Sequence, residues 1–320
     1  MGFRGKIFVF FVLVLALALI TPAFAGDREK LGDAWWTGPL ETSNPNTIPK
    51  NHIYIETYFA VEQDHGGYNS HGNLVKTGQP LANDYQSTTL FQYGITNNFN
   101  IGILLGFDAP QGGTHVPDVM LCGKPNCGFE VGLLKIRPVY RFLKYKEGKW
   151  WPAMSVASGF IAPTTSYSTF TPFIALWEQR PFWMPGGRIL RVRANEEVYH
   201  PMGKDYGPLD CSVLGPAAAA CNINGHNYYK ALLGMEYSLT KKWVPAWDFY
   251  YRWGDRTNYS TTGPVTTGVY SASTNRLVID PALEYNFTEN TGIIFGAEMT
   301  INGRNVGSYI APQIALQWFK

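Results

Sequence analysis

An all-β transmembrane antiparallel β-barrel of about twelve strands is the fold that this 320-residue sequence predicts. Three observations predict it. From Asn51 to Lys320, segments of about ten residues alternate apolar and polar side chains, a period of 2 that gives each strand two unlike faces. Tight polar turns and longer polar loops take turns in joining these segments, the habit of barrels with short periplasmic turns and longer extracellular loops. An export signal stands in front of the series.

The signal is legible from Met1. Arg4 and Lys6 precede an unbroken apolar run from Ile7 to Ile20, and Ala23-Phe24-Ala25 offers a small-x-small cleavage pattern. Residues 1–25 therefore read as a signal peptide. The run is about 14 residues, short of the roughly 20 that a membrane helix needs. Charged residues make up 16% and aromatic residues 15% of the chain, against roughly 25% charged in an average protein. Few charges with many aromatics suit a surface that meets lipid through aromatic girdles. The net charge of +2 speaks against a nucleic-acid partner. No linker or change of composition divides 51–320, so the expected organisation is a signal peptide (1–25), an N-terminal segment (26–50) and an outer-membrane barrel (51–320). Trp35, Trp36, Pro39 and Pro45 keep the N-terminal segment from reading as a strand. Two places stay open for it, a plug in the lumen and the periplasmic rim.

The strands follow in order. Near 51–63, Ile53, Ile55 and Phe59 alternate with Glu56 and Glu62. Near 86–97 the apolar face is Phe91 and Tyr93, and near 98–108 it is Phe99, Ile101 and Ile103. Near 128–143, Leu134 and Ile136 alternate with Lys135, Arg137 and Arg141, and near 150–162 Met154 and Val156 mark the apolar side. Near 170–180, Glu178 and Arg180 are assigned to the polar face, and the stretch 170–200 is the weakest because Pro172, Pro181 and Pro185 interrupt its pattern. Near 188–199, Leu190 and Val192 face away from Arg191, Arg193 and Glu197. Near 226–238, Leu233 and Met235 alternate with Lys230 and Glu236. Near 243–254, Trp243, Trp247, Phe249, Tyr251 and Trp253 alternate with Asp248, Tyr250 and Arg252. Near 274–287, Leu277, Ile279 and Leu283 oppose Arg276, Asp280 and Glu284. Ile293 and Phe295 oppose Glu298 near 291–300, and Ile314 and Leu316 mark the strand near 307–319.

An Arg or Lys on the lipid face at mid-bilayer costs roughly 2–4 kcal/mol. The charged face is therefore expected to line the lumen, its acids and bases pairing across it. Tyr54, Tyr58, Tyr199, Tyr228, Tyr250 and Tyr309 share that parity. Glu196 falls on the lipid parity, and a bulge in its strand would return it to the lumen. The two signs balance on the charged face, which suits small uncharged solutes better than ions of one sign.

The four cysteines form two local pairs, Cys122 with Cys127 and Cys211 with Cys221. Both pairs fall in expected outer loops, and an exported chain should oxidise them to disulfides. Their spacing does not match paired C-x2-C zinc ligands, and the sequence implies no metal and no cofactor.

Three stretches resemble the outer-membrane family named for the meta-pathway of phenol degradation, often described simply as transporters. Trp36 to Leu40 through Thr47-Ile48-Pro49-Lys50-Asn51-His52-Ile53-Tyr54-Ile55-Glu56 is similar to its mature N-terminus, with Asn51 where Gly is usual. Phe91 to Gly102, containing Tyr93-Gly94-Ile95-Thr96, resembles one of its hairpins, and Tyr237-Ser238-Leu239-Thr240 a later turn. The resemblance implies a barrel that passes hydrophobic or aromatic compounds and supplies no catalytic residues. Barrels of this class end on an aromatic residue that the barrel-assembly machinery reads. This chain ends Trp318-Phe319-Lys320, one residue longer.

The expected function is thus an outer-membrane channel or transporter in a Gram-negative bacterium, with lipid, the assembly machinery and a small solute as partners. A structural or adhesive barrel without conduction is the alternative, and an outer-membrane lipase a third reading. Ser70 and His71 are its only candidates. Adjacent residues do not readily form the nucleophile–base bond of about 2.6–3.2 Å that such chemistry needs, so no enzyme is expected.

Overall fold

The computed structural model describes residues 36, 38–76, 83–111, 130–164, 169–202, 204–205, 221–224, 227–254, 257–261 and 270–320. Twelve strands pair edge to edge, each antiparallel to its neighbours, and the last pairs with the first. They are β1 (Ile53–Tyr68), β2 (Asn83–Thr96), β3 (Phe99–Gln111), β4 (Glu130–Leu143), β5 (Ala153–Ala162) and β6 (Thr171–Trp183). Then come β7 (Ile189–Tyr199), β8 (Tyr228–Tyr237), β9 (Trp243–Gly254), β10 (Asn275–Asn286), β11 (Thr291–Arg304) and β12 (Val306–Phe319). Among the described residues every regular element is a strand.

Closure runs from Tyr54 opposite Phe319 to Tyr68 opposite Val306. It removes the open edge that lipid cannot satisfy. Lys320, the residue beyond the terminal aromatic, completes the seam. The Ile53 N–H donates to its carbonyl at 2.7 Å, and its own N–H donates to the Ile53 carbonyl at 2.9 Å. Asn51, at the turn into β1, has φ of 63°. Asparagine tolerates this left-handed conformation, so it can stand where the resembled pattern has Gly.

Several strands extend further than the alternation indicated, because their outer ends (Gln63, Asp64 and His65 in β1) carry no apolar residues to mark the period. Above the barrel, Lys204–Asp205, Cys221–Asn224, Thr257–Thr261 and Tyr270–Ala272 form a four-stranded sheet. They continue the lines of β7, β8, β9 and β10 in the same order, each too short to show a period. Residues 1–25, Cys122, Cys127 and Cys211 lie outside the described residues, and with them the signal peptide and both expected disulfides.

The outward face carries exposed Ile53, Phe59, Phe91, Ile103, Trp247, Phe249, Phe295 and Leu316. The inward face buries Glu56, Lys135, Arg193, Glu236, Asp248 and Asp280. Strand β6 corrects the sequence reading. Phe173, Ala175, Trp177 and Gln179 are its buried, inward residues, so Glu178 and Arg180 stand on the outer face instead of lining the lumen. The apolar-outside rule inverts here because an aromatic cluster of Phe173, Trp177 and Tyr199 fills the inside. One residue of each sign leaves the lumen together, so the charge balance survives. Strand β7 pairs with β6 and β8 without a register shift. There is no bulge, and Glu196 also stands outside.

Candidate functional site

The lumen holds a strap. Residues 38–50, ahead of β1, run inside the barrel as irregular chain, and their backbone groups bond to wall side chains. The Gly38 N–H donates to Glu284 at 3.2 Å and the Glu41 N–H to Asp248 at 2.9 Å. The Thr42 hydroxyl donates to the same Asp248 carboxylate. Asn195 reads Ser43 as another strand would: its Oδ1 accepts the Ser43 N–H at 2.7 Å, and its Nδ2 donates to the Ser43 carbonyl at 3.2 Å. Arg193 donates to the Thr42 carbonyl at 3.0 Å, Ser155 to the Pro45 carbonyl, and Arg137 to the Ser43 hydroxyl at 3.2 Å. The strap leaves through Thr47, whose hydroxyl donates to the Asn97 carbonyl at 2.8 Å. Wall glycines make room for it. A Cβ on Gly296 would lie 2.4 Å from Leu40 Cδ1, and one on Gly234 would lie 2.6 Å from Thr42 Oγ1.

Below the strap's N-terminal end sits an ionic knot. Glu236, wholly buried, takes a bidentate contact from Arg191 and a second partner in Arg193 at 3.1 Å. Arg191 also lies 4.3 Å from the Trp36 ring centroid, and Arg193 donates to Gln179 at 2.9 Å. A buried carboxylate is tolerable when pairing and hydrogen bonds answer it.

Higher in the lumen, aromatic faces and cations form a column across four strands. Phe173 stacks on Tyr199 with centroids 5.3 Å apart, Tyr199 on Tyr228 at 4.5 Å, and Arg252 lies 4.3 Å from the Tyr228 centroid. Lys135 donates to the Tyr199 hydroxyl at 2.7 Å, and that hydroxyl donates to Glu197 at 2.6 Å. Lys230 meets Glu41 of the strap at 3.0 Å and covers Tyr250 at 4.5 Å. Tyr250 and Tyr309 both donate to Glu298.

A cavity of about 650 Å³ runs between the strap and the opposite wall. On β1 it follows Tyr54, Glu56, Tyr58, Ala60 and Glu62, about 26 Å of strand at 3.3 Å per residue. Gln317 and Phe319 line it near the periplasmic end; Tyr199, Tyr228, Lys230 and Arg252 line it toward the outer end. The strap is bonded to β4, β5 and β7 to β10, and the cavity beside it follows β12, β1 and β2 and reaches the outer ends of β7 to β9.

Of the sequence-predicted residues, the structure brings Glu56, Lys135, Arg137, Arg193, Glu197, Lys230, Arg252 and Glu298 to this cavity. Arg191, Glu236, Asp248 and Glu284 hold one another or the strap, Tyr250 holds Glu298, and Asp280 accepts from Gln313 at 2.7 Å. Arg141 is drawn aside to the periplasmic turn, donating to the Asn97 carbonyl at 2.7 Å. Pairing is also less uniform than expected. Arg137 rests on Ser43 and the Trp177 ring and Arg252 on Tyr228, in place of acids on neighbouring strands. The sequence reading missed Asn195, Gln179, Trp177 and the strap's own Thr42 and Ser43. Parity alone could have found Asn195, which lies between Arg193 and Glu197 on the inward face. Ser70 Oγ and His71 Nδ1 stand 3.4 Å apart in an exposed turn.

No family model matches the chain, and no curated protein matches its sequence. Among solved structures it is similar to an outer membrane channel from Pseudomonas putida F1, with a TM-score of 0.64 and 10% identity over 88% of this chain and 100% of that one. It is also similar to the transport unit of the autotransporter AIDA-I from Escherichia coli, with a TM-score of 0.49 and 10% identity over 96% of this chain and 97% of that one. At such identity the first likeness speaks for the fold alone. Closed wall, apolar belt and this likeness together make the chain a Gram-negative outer-membrane barrel.

Proposed function

We propose that the barrel is a channel for small, largely uncharged solutes, and that molecules pairing an aromatic ring with a polar group fit it best. The cavity that passes beside the strap carries this reading. Its charges are of both signs, and several are already answered: Lys135 by Tyr199, Lys230 by Glu41, Glu298 by two tyrosines. No single-sign field remains to select an ion. What it offers a guest is ring faces with polar tips, at Tyr54 and Tyr58. Twelve strands enclose less room than the sixteen of an aqueous porin, and the strap narrows it further. The sequence resemblance to the phenol meta-pathway family favours the same solute class, by analogy.

Liposome swelling with purified protein tests this across sugars, amino acids and simple phenols. Phenols should enter fastest, with charged amino acids of either sign slow. The strap's many wall bonds favour a second reading, a filled barrel with a structural or adhesive role. No swelling with any solute, even after deletion of residues 36–49, would support that reading and refute the channel.

A further inference from the structure

Near its periplasmic end the cavity keeps two hydrogen-bond acceptors that the barrel does not fill. Glu56 on β1 is 5% exposed, yet it lines the passage. Tyr54 and Tyr58, two residues to either side on the same face, turn their hydroxyls to its carboxylate as donors. A carboxylate has about four acceptor sites, so two donors leave it half served. Among the described residues no cation stands within ion-pair distance of it; Arg193 and Arg137 act on it from further away.

Gln317 on β12 stands directly opposite Glu56 in the seam that closes the barrel, and it lines the same passage. Its Oε1 is buried without a partner among the described residues. An unanswered buried acceptor carries its full desolvation cost, which a guest's donor recovers.

We infer that Glu56 and Gln317 set the specificity of the passage, and that they select a neutral aromatic solute carrying an O–H or N–H on its ring. This rests on the channel reading above and deepens it. The ring packs against Tyr54 or Tyr58, and the donor goes to the carboxylate or to Oε1 of Gln317. Neutrality follows from Arg137 and Arg193, which already offset the Glu56 charge, so an ammonium gains little by entering. A ring that only accepts, such as an aromatic ether, gives these oxygens nothing. Sites built to bond a hydroxyl reject the analogue that lacks it, because their own buried groups are then left unpaired.

Calorimetric titration of the full mature protein in detergent tests this with three probes of similar size: phenol, its methyl ether anisole, and benzylamine, a cation at neutral pH. Heats from empty micelles are subtracted. Phenol should bind more tightly than either of the others, by about tenfold or more. Glu56→Gln and Gln317→Leu should each bring phenol to within about threefold of anisole and leave anisole nearly unchanged. Heat-modifiable migration verifies that each variant is a folded barrel, and the unsubstituted protein's own preference judges the inference whatever the variants do. Equal binding of phenol and anisole would overturn it, as would tighter binding of benzylamine or an undiminished preference in the folded Glu56→Gln barrel. Liposomes that still swell with phenol would then leave the channel reading standing. A preference for phenol without swelling would uphold the site and refute the channel.

Discussion

The hydroxyl of Thr42 donates to the carboxylate of Asp248, joining a segment that precedes the barrel to its ninth strand, 206 residues further along the chain. The same carboxylate accepts the Glu41 N–H at 2.9 Å. One buried side chain therefore anchors two consecutive strap residues. The cavity of about 650 Å³ lies beside the segment that this carboxylate anchors.

Asp248→Ala should release the strap locally. Hydrogen bonds to charged groups contribute about 1.5–3 kcal/mol each. Loss of the acceptor should speed hydrogen exchange at the Glu41 amide by roughly 10- to 100-fold. Exchange mass spectrometry on peptides covering 38–50 reads this directly, and unchanged protection would show that Asp248 is not the anchor.

Gly234→Val should expel the strap and spare the barrel. A Cβ at this position would stand 2.6 Å from Thr42 Oγ1 and 2.8 Å from Asp248 Oδ1, closer than real Cβ contacts come. The strap has no regular pairing to resist with, whereas the β8 ladder does. Protease cleavage within 38–50 should rise sharply while the barrel keeps its folded migration on a gel. A protected strap in the folded variant would contradict the close packing described.

Glu236→Ala should be among the most destabilising single changes in the wall. It strands Arg191 and Arg193 in the lumen, and removing one partner of a buried ion pair costs about 3–5 kcal/mol. Equilibrium unfolding in urea measures the loss. A change under about 1 kcal/mol would mean that water or the strap answers the arginines instead.

The barrel was legible because its period is strong where lipid demands it. Trp243 to Trp253 in β9 alternates without a break, and that strand's bounds agree with its structure. The inward charges were legible for the same reason, since Arg191, Arg193 and Glu197 share one parity. Three features lay beyond such reasoning. Strand β6 carries its aromatics inward and Glu178 outward, so hydrophobicity points the wrong way there. The strap bonds its backbone to distant side chains, Asn195 and Asp248 among them, and a segment bonded that way has no period at all. The small outer sheet consists of pieces two to five residues long, below any window in which alternation can be counted.

Both loop disulfides, Cys122–Cys127 and Cys211–Cys221, should be present in protein taken from the outer membrane. Each closes a short loop, so its entropic contribution is at most about 3 kcal/mol. Mass mapping of non-reduced peptides should find both pairs. A cross-pair such as Cys122–Cys211, or four free thiols, would contradict the expectation.

Planar-bilayer recording of the intact mature protein, with and without phenol, is the most direct test of passage beside the strap. The account predicts a small conductance with weak preference between cations and anions, reduced by phenol in a dose-dependent way. Tyr58→Ala removes a ring that lines the cavity beside the strap. Aromatic contacts are worth about 0.5–1.5 kcal/mol, so roughly 2- to 10-fold more phenol should be needed for the same block. A large, strongly ion-selective conductance that phenol leaves untouched would contradict the account.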